Sequence, residues 1–157
     1  MTKTSSLPDR AKRAPRPSEG REPAFPSAAE YASGRACHGS LSVVDLRKEQ
    51  AAVAGPYDNR VLLDANDHCM RLAVFEGEYR WHHHPDSDEL FLVVAGELEI
   101  DLEDGTRMTL APWQAVVIPA GTVHRTRAIG RTVNATFERQ RARTEFLPRP
   151  AAPDEPR

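Results

Sequence analysis

Four side chains with metal-binding donor atoms lie close together in the middle of this chain. The stretch from Arg80 to Gly96 reads RWHHHPDSDELFLVVAG. It places His82 two residues before His84 and Glu89 five residues later, and His124 follows downstream within IPAGTVH. Three imidazole nitrogens and one carboxylate oxygen form a donor set that suits divalent transition metals. The pattern therefore predicts a mononuclear metal site.

Strand geometry explains how these residues would meet. Side chains alternate across a strand, so His82 and His84 share one face, ~7 Å apart along the chain, while His83 points away. A Pro-Asp-Ser-Asp turn precedes Glu89 and allows it to return from a neighbouring strand, and a Pro-Ala-Gly turn precedes His124. Taken singly, each residue has a plainer explanation as a solvated histidine, a turn acid or a buried, backbone-bonded histidine. The joint spacing favours metal binding.

Arg80 is the candidate catalytic residue. It has the same strand parity as His82 and His84, so an extended backbone would point its guanidinium into the same interior. There it would clamp a substrate carboxylate or phosphate. The alternative is a solvated arginine at the mouth of the site. Tyr79 and Trp81 have the opposite parity, which predicts outer packing or dimer contacts for them.

Composition divides the chain into a central domain and two extensions. Residues 1–36 hold five prolines in the first 26 positions, with Ser, Arg and Glu between them, and are predicted to be disordered. Residues 140–157 have the same character, with four prolines in the last ten positions. Residues 37–139 then form one globular domain, because 157 residues are too few for two comfortable cores.

The central domain is predicted to be all-β. Short apolar or alternating runs separated by turn residues are typical of a small sandwich or barrel. One short helix is expected at Leu46–Ala54, with Asp45 as its N-cap. The predicted strands cover 60–64, 69–75, 79–84, 89–95, 97–102, 106–110, 116–119, 124–128 and 131–138.

Composition also limits the classes of partner that we expect for this protein. The net charge is −2, and neither extension has a dense basic run with interleaved aromatics, so no nucleic-acid partner is expected. No apolar run approaches the ~20 residues of a membrane helix, and the N-terminus lacks the apolar core of a secretory signal, so no membrane association is expected. Cys37 and Cys69 form no zinc or redox spacing, which fits a reduced, cytoplasmic protein.

On these residues the chain resembles the cupins. Their first motif, G-x5-H-x-H-x3or4-E-x6-G, is similar to the His82-x-His84-x4-Glu89-x6-Gly96 run, and the P-x-G-x2-H part of their second motif is similar to Pro119-x-Gly121-x2-His124. The likeness covers roughly residues 42–138 and is closest to small single-domain cupins with a WHxHPxxDELF signature.

Three motif positions depart from the cupin pattern. Gly77 lies one residue nearer to His82 than the pattern requires, Trp113 replaces the glycine that opens the second motif, and Ala128 replaces its final asparagine. None of these positions ligates metal in the family, so the resemblance keeps the ligand set His82, His84, Glu89 and His124. It implies a jelly-roll-like antiparallel β-barrel with the metal inside one end, commonly assembled as a homodimer.

The expected function is that of a metal-dependent cupin acting on a small oxygenated molecule. One divalent ion per chain is expected, with Fe2+ as the first candidate and Zn2+, Mn2+ or Ni2+ as alternatives. The first hypothesis is a non-haem metal dioxygenase, because the sequence offers no second histidine or carboxylate pair for proton transfer. The alternatives are a metal-dependent isomerase or lyase, and a non-catalytic cupin that binds a small ligand.

Overall fold

The computed structural model describes residues 25–148, which form an all-β, jelly-roll-like antiparallel barrel as predicted. Neither helix in this range is long and apolar enough to cross a membrane. The elements are α1 Ala28–Ala32, α2 Leu46–Ala51, β1 Tyr57–Ala65, β2 His68–Glu78, β3 His82–His83, β4 Glu89–Leu102, β5 Arg107–Leu110, β6 Ala115–Ile118, β7 His124–Arg139 and β8 Glu145–Phe146.

Two long strands, β4 and β7, organise the barrel. The strand order is β1-β2-β7-β3-β8, and β4 pairs with β5, β6 and β7. The pairing of β4 with β7 runs from Leu90 opposite Phe137 to Leu102 opposite His124. The sequence predicted two strands in place of each. Each is instead continuous and bent, so that residues from opposite ends of this pairing meet in the interior.

Gly96 lies at the bend of β4. Its φ is +80°, and the β4–β7 register shifts on both sides of Ala95. A Cβ at this position would lie 2.6 Å from Oγ1 of Thr132 and 2.7 Å from the carbonyl oxygen of Arg131. Only glycine combines this left-handed backbone with so close an approach of two strands.

Substituting Gly96 tests this requirement. Gly96→Ala adds the close contacts to a strained backbone, and we expect a loss of ~3 kcal/mol or more in the free energy of unfolding. Gly77→Ala is the matched control, because Gly77 also has φ +80° but a Cβ there meets nothing within 4 Å. Its expected loss is only ~1–2 kcal/mol. Urea unfolding measures both, and equal losses would contradict a role for close packing at Gly96.

The barrel has an inner and an outer apolar cluster. Phe75, Phe91 and Ile100 belong to the inner one, beneath the metal-site residues. The outer one contains Leu72 and is covered by the segment that includes α2. Helix α2 begins after Asp45, whose carboxylate accepts from the Arg47 N–H as an N-cap, and it ends at Ala51 rather than at the predicted Ala54. This cover closes one outer face of the sheet.

The boundaries predicted for the two disordered extensions need correction. Helix α1 falls in the segment 1–36, and its Tyr31 is buried against the barrel. Strand β8 falls in the segment 140–157 and pairs with β3, with Phe146 opposite His82. The aromatic residues Tyr31 and Phe146 hold these two segments on the barrel, although the surrounding sequence is rich in proline and charged residues. The remainder of both predicted extensions, residues 1–24 and 149–157, lies outside the described residues.

Candidate metal centre

Backbone pairing brings the predicted ligands together. His82 on β3 lies opposite His124, the first residue of β7, and Glu89 is the first residue of β4. The Pro-x-Gly turn is tied to the same region, because the Gly121 N–H donates to the His84 carbonyl at 2.8 Å. The turn before Glu89 is also fixed, since the Ala120 N–H donates to a carboxylate oxygen of Asp88.

Each of the three histidines is held in the same tautomer. Nδ1 of His82 lies 2.8 Å from the Arg80 carbonyl oxygen, Nδ1 of His84 2.9 Å from that of Arg143, and Nδ1 of His124 3.0 Å from that of Thr122. A carbonyl only accepts, so each Nδ1 carries the proton. Each Nε2 is then the ring nitrogen that faces the site and can ligate a metal, as in metal-ligating histidines oriented by backbone carbonyls.

The free donor atoms converge. The ligating atoms of His82, His84 and Glu89 all lie within 4.8 Å of one another. Oε2 of Glu89 lies 3.3 Å from Nε2 of His84 and 3.3 Å from Nε2 of His124. Donors roughly 2.1 Å from a common ion lie about 3 Å apart when adjacent, so these separations suit one ion. His83 points away, to Glu145.

Without a cation, the converging atoms are unsatisfied. Nε2 of His84, Nε2 of His124 and Oε2 of Glu89 are buried and lack a hydrogen-bond partner. A buried polar atom left in this state costs ~1–3 kcal/mol. A divalent ion among the three nitrogens and the carboxylate removes that cost, so the residues fit a bound metal.

The pKa shifts of the site residues also indicate that the site favours a bound positive charge. Burial and the neighbouring His124 lower the pKa of His82 to about 3, which keeps it neutral and ready to ligate. Burial also opposes charging His84, but the nearby carboxylates of Glu89 and Glu138 raise its pKa to about 9. Burial acts against ionisation of Glu89, yet His124 and His84 lower its pKa. The carboxylates thus attract a proton where a metal ion would supply the charge.

A second buried carboxylate, Glu138, was missed in the sequence. It is fully buried, and its Oε2 lies 3.7 Å from Nε2 of His84 without a hydrogen-bond partner. Its Oε1 accepts from Nε of Arg71 at 2.5 Å. Burial and the charge of Glu89 raise its pKa. The expectation that the site lacks a second carboxylate is therefore wrong. Glu138 shares the even-numbered parity of His124 along β7, which was the available signal.

Aromatic residues close the site. A cavity of about 30 Å3, with room for about two water molecules, lies beside the ligands and is lined by residues that include Tyr31, Tyr79, His82 and Asn134. The Tyr31 ring stacks on the His84 ring at 5.8 Å. The Tyr79 ring meets His82 edge-on at 5.3 Å. The predicted outer position of Tyr79 is therefore wrong, and α1 covers the site.

Arg80 does not point at the ligands. Its guanidinium carbon lies 3.5 Å from the centroid of the Phe146 ring, and its Nη2 donates to the carbonyl of Pro26. The prediction that Arg80 enters the site as a catalytic residue is corrected on this geometry. The parity argument fails because residues 79–81 are not in a strand, so side-chain alternation does not continue backward from His82.

Comparison with known proteins agrees with the fold and the motifs. Residues 69–137 match the Cupin_2 family model, described as a cupin domain. The chain belongs to the cupin superfamily. The uncharacterized protein YdbB of Bacillus subtilis is 56% identical to it over 89 residues, which cover 57% of this chain and 79% of YdbB.

Two solved structures show the same architecture. A cupin-2 domain containing protein from Shewanella frigidimarina has a TM-score of 0.59 and 31% identity, over 62% of this chain and 94% of that chain. Protein NMB1881 from Neisseria meningitidis has a TM-score of 0.58 and 24% identity, over 62% of this chain and 99% of that one. At that lower identity the second match supports the fold alone.

Ligand substitutions test the centre. His82→Ala, His84→Ala or His124→Ala removes one donor from the converging set, and we expect each to weaken metal affinity by more than ~100-fold. His83→Ala is the control, because His83 points to Glu145, and we expect wild-type affinity from it. The metal content of all four variants after dialysis is measured by mass spectrometry. Wild-type occupancy in His124→Ala would rule out a four-ligand site.

Proposed function

We propose that this cupin is a metal-dependent enzyme acting on a small oxygenated molecule, with a non-haem metal dioxygenase as the first candidate. The observation that supports it is the grouping of the His82, His84 and Glu89 donor atoms within 4.8 Å of one another, with Nε2 of His124 3.3 Å from Oε2 of Glu89. Three of these four donor atoms are buried and unpartnered. One divalent ion per chain is proposed, with Fe2+ first and Zn2+, Mn2+ or Ni2+ as alternatives.

When bound, the metal would supply Lewis acidity to a substrate oxygen or would activate O2 beside the substrate. The chain supplies the rest. Backbone carbonyls hold the imidazoles in the ligating tautomer. Tyr31 and Phe91 flank the imidazoles of His84 and His124 and limit the access of water.

Glu138 supports a second candidate function, a metal-dependent isomerase or lyase. Such reactions need a group that accepts and returns a proton beside the polarised substrate. Oε2 of Glu138 is buried, unpartnered and 3.7 Å from a ligand nitrogen. Arg71 holds the other carboxylate oxygen and so orients the group. The dioxygenase was favoured because the sequence offered no second carboxylate for proton transfer, and Glu138 is a carboxylate in that position. A non-catalytic ligand-binding cupin remains the third alternative.

Metal content and oxygen uptake, measured on one sample, decide between these candidates. Untagged protein is purified anaerobically, its metal content is determined by mass spectrometry, and an oxygen electrode follows turnover with small diols, thiols and keto acids. Near-stoichiometric iron with substrate-dependent O2 uptake is expected for the dioxygenase. Zinc, manganese or nickel without O2 uptake would overturn it in favour of an isomerase, lyase or binding protein. Glu89→Ala serves as the metal-free control.

The homodimer expected from the family resemblance stays a prediction. Two aliphatic side chains near α2 are fully exposed, Leu41 and Val43 at 104% and 100%, and a partner subunit would remove them from water. Light scattering on the purified protein decides the assembly state.

A further inference from the structure

Residues 25–36, which include α1, lie over the metal centre and contact it through two aromatic rings. The Tyr31 ring stacks on the His84 ring, with 5.8 Å between their centroids. The Phe25 ring lies edge-on to the rings of Tyr57 and Tyr79, at 5.0 Å and 4.9 Å. Tyr31 is the buried residue of α1, and its neighbours in the helix face outward. This segment is the cover of the site.

The cover is joined to the barrel backbone only at its end. Within the described residues, positions 25–36 make no backbone–backbone hydrogen bond to a barrel strand. Such bonds begin directly after the cover, where the Cys37 N–H donates to the Val61 carbonyl at 3.0 Å and the His38 N–H donates to the Leu62 carbonyl at 3.1 Å. A short helix held by side chains, next to a backbone-paired segment, is an element that can open locally while the fold persists.

Two arginines of the barrel hold main-chain carbonyls of the cover. Nη2 of Arg71 donates to the Tyr31 carbonyl at 2.8 Å, and its guanidinium carbon lies 3.8 Å from the centroid of the Tyr31 ring. Nη2 of Arg80 donates to the Pro26 carbonyl. These bonds join the cover to side chains rather than to the strands themselves, so they can break and form again without a change in the sheet.

Two cavities meet at the cover. The small one, about 30 Å3 in volume, lies beside the metal-binding donors and is lined by Tyr31. A surface cavity of about 880 Å3 is lined by Ala29 and Ala32 of α1 and by Arg71. Because Tyr31 and Arg71 contact each other, this pair separates the two cavities. Movement of α1 away from the barrel would therefore join them.

The closed cavity limits what can reach the metal-binding donors. Its volume of about 30 Å3 holds about two water molecules, or one molecule of the size of O2. The hydroxyls of Tyr57 and Tyr79 and the Oδ1 atoms of Asn59 and Asn134 are buried there without a protein partner. This mixture of donors and acceptors suits water. A larger substrate finds no room while the cover is closed.

We propose that residues 25–36 form a hinged cover, with Tyr31 as its plug, and that this cover opens at residues 34–37 to admit substrates to the metal centre. This inference rests on the proposed function and names how access to that site is controlled. The closed cover admits only molecules of the size of water or O2. The open cover joins the surface cavity to the small one and gives a substrate room beside the donors.

The rate of ligand entry into protein loaded with Co2+ tests the cover. Imidazole is larger than the closed cavity, and its binding changes the visible absorption of Co2+, which stopped-flow mixing follows. Because the cover must open first, we expect the observed rate to level off at high imidazole concentration. Tyr31→Ala removes the plug and should raise the limiting rate by about tenfold or more.

Two control variants separate the plug from general stability. Tyr31→Phe keeps the ring that stacks on His84 and should keep the wild-type rate. Leu46→Ala removes a side chain that packs on the outer apolar cluster, away from the site, and should also keep the wild-type rate. A wild-type rate that rises in proportion to imidazole, or equal acceleration by Tyr31→Ala and Leu46→Ala, would overturn the proposal.

A disulfide across the hinge would lock the cover. A Cβ on Gly34 would lie 3.1 Å from Cγ2 of Val61, which fits the ~3.5–4.5 Å between the Cβ atoms of a disulfide. The variant Gly34→Cys/Val61→Cys is made with Cys37→Ser, which removes an exposed thiol. Its oxidised form should bind imidazole about tenfold or more slower than its reduced form. Equal rates in the two forms would contradict the hinge.

Hydrogen exchange separates failure of this inference from failure of the proposed function. A protein that takes up no Co2+ would contradict the proposed function, and exchange in that metal-free protein still tests the cover. The N–H groups of Tyr31, Ser33 and Gly34 bond within the cover, and we expect them to exchange faster than those of Cys37 and His38. Equal protection of the two groups would overturn the cover whether or not metal binds.

Discussion

The structure of this centre depends on the buried carboxylate of Glu89, whose Oε2 lies 3.3 Å from Nε2 of His84 and 3.3 Å from Nε2 of His124. Backbone carbonyls take the Nδ1 protons of His82, His84 and His124, so that three nitrogen lone pairs and Oε2 of Glu89 converge. Lone pairs repel one another and lose water when buried, which makes the arrangement costly by itself. A cation is the partner that suits all four donors, and the surrounding barrel keeps them together.

The barrel brings these groups together through two bent strands. Because β4 and β7 bend, Glu89 at the start of one meets His124 at the start of the other, although their backbones pair at opposite ends of the ladder. Gly96 permits the bend, since a side chain there would collide with β7. The inner aliphatic cluster below, with Phe91 and Ile100, fills the rest of the interior and gives the site a rigid, apolar floor.

Parts of the site were predictable because they depend on short-range geometry. The His-x-His spacing places two imidazoles on one face of any extended segment, and a Pro-x-Gly turn brings His124 back wherever the segments pair. Arg80 was predicted to point inward by the same rule, yet residues 79–81 are not part of a strand and the guanidinium stacks on Phe146. A periodicity argument holds only while the strand continues.

Other parts of the site could not be read from the sequence. Glu138 lies in a run rich in arginine that resembles a solvated strand end, and its burial depends on Arg71 and on the return of β7 beside β4. Likewise Tyr31 belongs to a segment whose composition predicts disorder, but α1 packs on His84.

The sequence by itself determined the all-β class, the cupin motifs and the candidate donor residues, because alternation and turn chemistry are local. Only the tertiary structure decided which polar groups share the interior with the metal donors, since burial is set by contacts between segments far apart in the chain.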